Sequence, residues 1–411
     1  MSLFNTVAII LFIAMVITYI NHRFIKLHTT IATMAAALIV SIIISLLNHI
    51  GLHEYHHEVR EFVAHIDFHK LVMNFMLGLL LFAGSLTIDL TQLKQQRLEI
   101  GVLAFVSTIA SAFIIATVLY YLLQLFGVPM GYAYCLLFGS LISPTDPIAV
   151  LAIFKQVGAP KNLETAVSAE ALFNDGVGVV LFITAYHVAF GGGHVHAGDV
   201  IWLFCREAIG GLIYGIVFGY ILCVLLRPLR DMKLEIMFSI IMVIAAYALA
   251  QSIEISGPLA MVAAGIFVAN FRRHETLLPL SRHYMENIWE MIDEILNTVL
   301  FLLLGFEILV VNYDWTKIIV SLCVIALTLL VRYLVVALPM TALRPWRQKI
   351  PYAISILSWG GLRGGLAVAL ALALPAGEIR SWILALTYAV VVFSILVQGT
   401  TIKPLVRLSR R

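Results

Sequence analysis

Charge is what this 411-residue chain has least of. Asp, Glu, Lys and Arg make up only 12% of it, about half the share of a soluble domain. With 62% apolar residues and a mean hydropathy of +1.00, a soluble fold is excluded and a polytopic membrane protein remains. Cysteine is scarce as well. Cys135, Cys205, Cys223 and Cys323 all lie within apolar segments with no C-x-x-C spacing, which argues against a disulfide framework or a zinc site. Basic tracts interleaved with aromatics are missing, so nucleic acid is not an expected partner, and no cofactor motif appears. The first apolar run, 2–20, lacks a basic leader and an A-x-A site, and Arg23 and Lys26 follow it. It is expected to be a retained span and not a signal peptide.

What is present is a succession of apolar runs near the 20 residues needed to cross a bilayer. Polar breaks divide them into thirteen candidate spans: 2–21, 29–50, 68–88, 98–126, 131–156, 164–190, 200–226, 235–253, 256–271, 284–311, 316–343, 350–374 and 381–406. Nineteen Lys and Arg residues fall on the odd-numbered connections and the C-terminal tail. Four (Arg60, Lys70, Lys317 and Arg380) fall on the even-numbered ones. The positive-inside rule therefore predicts the N-terminus outside and the C-terminus in the cytoplasm.

Two spans are interrupted. The fifth carries Ser143-Pro144-Thr145-Asp146-Pro147, and the twelfth carries "LSWGGLRGGLA" (357–367) with glycines around Arg363. Proline frees backbone carbonyls, and discontinuous helices in two halves of a chain mark transporter binding sites. The two breaks lie seven spans apart, an odd offset. Their positions suggest two inverted repeats, spans 1–6 and 8–13, with helices 5 and 12 crossing.

The breaks coincide with intramembrane charge. Span 6 places Glu170 and Asn174 on one helical face, with Asp175 beside them, while span 5 supplies Thr145 and Asp146 and span 12 supplies Arg363. Such residues mark an ion or proton route by default. Arg363 is expected to hold one carboxylate permanently ionised, and Glu170, braced by Asn174, is the expected partner. That leaves Asp146 and Asp175 to bind a hard cation, with freed span 5 carbonyls as further ligands and protons competing for the same oxygens.

These motifs, with "SGPLAMVAAGIFVAN" (256–270), "WEMIDEILNTVLFLLLGFE" (289–307) and "GGLRGGLAVALAL" (360–372), resemble the cation/proton antiporter-1 family over nearly the whole chain. That family comprises NhaP-type bacterial and archaeal Na⁺/H⁺ antiporters, related to animal Na⁺/H⁺ exchangers. The resemblance implies a thirteen-helix homodimer in the inner membrane that exchanges Na⁺, Li⁺ or K⁺ for H⁺, without enzymatic activity. It implies dimerisation regions at 1–90 (spans 1–3) and 191–311 (spans 7–10), and an ion-binding core at 91–190 (spans 4–6) and 312–411 (spans 11–13). It makes Asp175 the ion and proton carrier, with Asp146, Thr145 and Asn174 lining the site. Glu170 and Arg363 would form a structural pair, and Arg332 and Ser143 secondary contributors. The Asn174-Asp175 pair is associated in the family with electroneutral exchange. Two departures stand out: Ala171 replaces a common serine, and Ala83 replaces a common acidic residue, which bears on cation selectivity.

Two rivals come from other classes. An intramembrane aspartyl protease also uses paired aspartates, but its Tyr-Asp and Gly-x-Gly-Asp contexts are absent here. A cation channel shares the buried carboxylates and differs in needing no proton coupling. Outside the spans, the second connection is rich in histidine (His49, His53, His56, His57, His65 and His69). His53 and His57 have i,i+4 spacing but no clear third ligand, so a solvated loop is the expectation, with pH sensing second and zinc binding the least favoured reading. Glu290, Asp293 and Glu294 near the cytoplasmic end of span 10 fit either a cation-attracting funnel or a simple solvated face with helix-end charges. Glu307 is expected to be interfacial. Trp202, Trp315 and Trp382 are expected to form an aromatic belt.

Overall fold

The computed structural model describes residues 3–49, 67–158, 161–191, 197–229, 231–274, 279–309, 311, 313–343 and 352–408. Most of the histidine-rich connection lies outside these. Among the described residues the structure is helical, and its only strand-like feature is an isolated bridge between Asp146 and Leu362.

Helices α1 (Leu3–Ile20), α2 (Thr29–His49) and α3 (Phe68–Ser85) occupy the first three expected spans. A short α4 (Leu90–Gln95) leads into α5 (Arg97–Leu125). The fifth span is two half-helices, α6 (Tyr132–Ile142) and α7 (Ile148–Val157). Then come α8 (Lys161–Phe190), α9 (Ala197–Leu226), α10 (Met232–Ser252), α11 (Gly257–His274), α12 (Pro279–Phe306) and α13 (Trp315–Ala342). The twelfth span is again divided, into α14 (Ala353–Trp359) and α15 (Gly365–Leu372). The last helix, α16, runs from Glu378 through a π turn at Ser394–Gln398 to Leu408. Nine helical stretches among the described residues are long and apolar enough to cross a membrane. The breaks shorten α6, α7, α14 and α15, and charge disqualifies α12.

Local chemistry explains the helix starts. Aspartates at N-cap positions accept from backbone N–H groups of the first turn: Asp67 for α3, Asp89 for α4, Asp231 for α10 and Asp314 for α13. Lateral packing relies on small residues, as expected where no hydrophobic drive separates helix from lipid. Gly211, Gly215 and Gly219 form a stripe on α9 that lies against the α11 backbone at Ser256, Ala260 and Ala264. Gly139 of α6 lies in the same way on Ala112 of α5. Side chain-to-backbone bonds join other pairs: Ser107 of α5 donates to Val335 of α13 at 2.7 Å, and Tyr247 of α10 to Met73 of α3 at 2.6 Å.

Apolar side chains such as Phe12, Trp202, Ile213, Leu322 and Leu338 are exposed on the outer surface, which suits a hydrocarbon solvent. Trp202 and Trp315 lie exposed near helix starts. Trp382 corrects the belt expectation: it is buried, with Lys317 Nζ 5.6 Å from its ring centroid. Glu307 is also buried within the protein.

Candidate ion-binding site

The two interruptions meet. The Asp146 N–H donates to the Leu362 carbonyl at 2.7 Å, an antiparallel contact joining the unwound stretch of span 5 to that of span 12. The prolines prevent α6 and α7 from being one helix, and the glycines let the second chain approach. A Cβ at Gly364 would fall on the Asp146 carboxylate, and one at Gly178 of α8 on the Pro144 ring. The crossing thus depends on missing side chains on two neighbours.

Both half-helices of span 5 have charged caps. Asp146 Oδ1 accepts from the Ile148 N–H at 2.9 Å, placing negative charge at the N-terminus of α7. At the other end, Arg363 Nη1 donates to the Ser143 carbonyl and to the Pro144 carbonyl, the latter at 2.7 Å. The guanidinium therefore sits at the C-terminus of α6, where helix dipole and orphan carbonyls favour a cation. The Arg363 N–H donates to Ser394 Oγ at 2.9 Å. That hydroxyl donates to Gln398 Oε1, whose amide returns to the Trp359 carbonyl at 3.0 Å. The π turn of α16 thereby anchors the span 12 break.

This geometry corrects the expected ion pair. Glu170 is bound by Arg332 and not by Arg363: Arg332 Nη1 lies 2.5 Å from Glu170 Oε1, both side chains buried. Arg332 Nη2 also donates to the Leu357 carbonyl at 3.0 Å, on the last turn of α14. Gly361 leaves room for the guanidinium, since a Cβ there would meet Arg332 Nε. Arg363 Nη1 is instead committed to the span 5 carbonyls. Two of the carbonyls freed in span 5, those of Ser143 and Pro144, thus serve a guanidinium. Ser143 Oγ donates to the Gly139 carbonyl at 2.6 Å, which fixes its hydroxyl on the last turn of α6.

Asn174 does not brace Glu170 either. Its Oδ1 accepts from the Thr145 N–H at 3.1 Å, and its Nδ2 donates to Thr145 Oγ1 at 2.8 Å. This two-point grip fixes the unwound chain against α8 and holds Thr145 beside the next residue, Asp146. Asp175 differs from its neighbours. Its carboxylate makes no hydrogen bond or ion pair with any described residue, yet it stands within Coulombic reach of Asp146 and Arg363. It is half-buried, as is Asp146. Ala171 and Ala83 are buried and bring no oxygen to the region.

Sequence reasoning passed over Ser394, Gln398 and Asn297, and gave Arg332 only a secondary place. Arg332 was visible as a second arginine inside a span, and counting guanidiniums against carboxylates points to it. Ser394 and Gln398 gave no signal beyond being polar. Asn297 of α12 is buried with neither side-chain polar atom hydrogen-bonded to a described residue.

The family described as "Sodium/hydrogen exchanger, transmembrane" matches residues 9–408. The chain is 42% identical over 407 residues to the Na(+)/H(+) antiporter NhaP of Pseudomonas aeruginosa, covering 98% of this chain and 96% of that one. It is 33% identical over 285 residues to mouse sodium/hydrogen exchanger 5, covering 66% of this chain and 31% of the mouse protein. Its fold is similar to the sodium proton antiporter MjNhaP1 from Methanocaldococcus jannaschii at pH 8, with a TM-score of 0.77, 99% of each chain covered and 16% identity. This chain belongs to the sodium/hydrogen exchanger family.

Proposed function

We propose that the chain is a secondary-active antiporter of a prokaryotic plasma membrane, exchanging Na⁺, Li⁺ or K⁺ for H⁺ with Asp175 as the carrier. The observation that carries this reading is the unbound Asp175 carboxylate beside the crossing of two broken helices, within reach of Asp146. A carboxylate with no permanent partner can hold either a proton or a hard cation, and the two exclude each other. Asp146 and Thr145 line the site, and Asn174 positions Thr145. Arg363 and the Glu170–Arg332 pair keep the crossing rigid. One site that binds either species and opens alternately to each side performs exchange without further chemistry.

The breaks in spans 5 and 12 support two inverted repeats, and the Lys/Arg distribution supports an outside N-terminus and a cytoplasmic C-terminus. Regions 91–190 and 312–411 form the ion-binding core in this reading. Regions 1–90 and 191–311 form the dimerisation part of a homodimer. With Ala171 and Ala83 supplying no oxygen, coordination leans on Asp175 and water, so discrimination among Na⁺, Li⁺ and K⁺ is weaker than in relatives with oxygen-bearing side chains there.

The test uses proteoliposomes with a preset pH gradient and membrane potential clamped by a potassium ionophore. Added Na⁺ or Li⁺ should collapse the gradient. Cation flux that continues without any proton movement would replace the antiporter with a channel.

A further inference from the structure

Helix α12 carries a polar stripe that the central site does not use. Asp293 and Asn297 are four residues apart and share one face, and Leu300 continues that face into contact with Gly365 of the span 12 break. The stripe therefore points toward the crossing. Asp293 is within Coulombic reach of Asp146, and Glu290 and Glu294 flank it. Lys155, at the end of α7, faces it across the mouth with its Nζ 3.6 Å from Glu290 Oε1, both side chains exposed. Acidic residues at a mouth are ordinary. Asn297 is not: it is 2% exposed, and neither its Nδ2 nor its Oδ1 meets hydrogen-bond geometry with any described residue. The Asp293 carboxylate lies against this amide without reaching hydrogen-bond geometry. A buried unpaired amide is destabilising, and native structures retain one where something else uses it.

Helix α12 is also well held. Trp289 packs on Phe82 of α3 with ring centroids 4.8 Å apart, and its indole N–H donates to Ser239 of α10 at 3.2 Å. Asp293 and Asn297 thus sit on a helix fixed to α3 and α10, facing the broken helices.

We propose that Asp293 and Asn297 form a second, weaker site for a monovalent cation on the approach to Asp146 and Asp175, from the side that the Lys/Arg distribution places in the cytoplasm. The carboxylate supplies charge and Asn297 Oδ1 a neutral oxygen, a donor set suited to a partly hydrated Na⁺. Occupancy there raises the local cation concentration beside the central aspartates. The inference rests on the antiport reading and deepens it.

Asn297→Leu in the full-length protein is the decisive variant. It removes two unpaired polar atoms at similar volume, so a purely structural role predicts equal or better thermal stability and an unchanged KM. The second site predicts equal or better stability with KM for cytoplasmic Na⁺ raised about tenfold, the low end of what charge focusing supplies, and Vmax retained. Asp293→Asn should give the same split. Equilibrium binding of radiolabelled Na⁺ separates this inference from the carrier assignment. Asp175→Ala should keep weak binding that Asp175→Ala/Asn297→Leu loses. An unchanged KM in Asn297→Leu, or complete loss of Na⁺ binding in Asp175→Ala alone, overturns the second site and leaves the carrier standing. Normal transport by Asp175→Ala would overturn the carrier instead.

Discussion

Two arginines divide the work at the residue scale, and the division follows from what each can reach. Arg332 meets a carboxylate and one carbonyl, while Arg363 meets two carbonyls freed by a broken helix. Removing one partner of a buried pair leaves an uncompensated charge. Glu170→Ala is therefore expected to cost about 3–5 kcal/mol, and Glu170→Met/Arg332→Met to recover most of it. Thermal melting of the detergent-solubilised protein reads both. Arg332→Lys should fall short of wild type, because a point charge cannot span Glu170 and the Leu357 carbonyl as a planar fork does. A wild-type melting temperature in Glu170→Ala would remove the bracing role. The residues of the candidate site stood out in the sequence because ionisable groups inside apolar runs are conspicuous. Their pairing was not, because any of several arginines could reach Glu170 until the chain was folded. Freed carbonyls, moreover, compete for a guanidinium in a way that charge alone does not reveal.

The broken helices are the device that sets the site, at the scale of elements. Pro144 and Pro147 with the glycine run at 360–361 and 364–365 announced both breaks from the sequence, since these residues punctuate helices for backbone reasons that need no tertiary context. That the breaks touch through Asp146 and Leu362 could not be read, because sequence gives no distance between elements more than two hundred residues apart. Gly364→Ala tests the contact: the added methyl would displace the Asp146 carboxylate. Exchange should fall about tenfold to a hundredfold, as for a misplacement of roughly 1 Å at a working site. Proteoliposome transport rates compared with melting temperature would show activity lost well beyond stability. Gly215→Leu tests a different element contact. It should loosen α9 from α11 and lower the melting temperature by overpacking against the Ala260 backbone, worth about 1–3 kcal/mol or more.

The whole molecule is an exchanger scaffold in which most charge lies on the connections, while Asp146, Glu170, Asp175, Arg332 and Arg363 gather around one crossing. The alternation of Lys and Arg between connections was readable because topology signals are local and cumulative. Helix packing and the placement of Asn297 were not, since both depend on which faces meet. Competition between proton and cation has a definite sign. At low pH a proton occupies the carrier, so apparent KM for Na⁺ should fall as pH rises while Vmax for Na⁺ stays within about twofold. Transport assays across a pH series check it, and a KM that rises with pH would contradict competition at one site. If each cation displaces one proton, the rate should also be the same with membrane potential clamped at zero or at a large negative value.

The most direct measurement is proton release by the purified protein in weakly buffered detergent solution when NaCl is added, with choline chloride as control. The wild-type protein should release about one proton per Na⁺ bound at the central site, because a cation ligand must be deprotonated to bind. Asp175→Asn should release none. Proton release by Asp175→Asn equal to that of the wild type, or Na⁺ binding by the wild type without any release, would contradict Asp175 as the shared carrier.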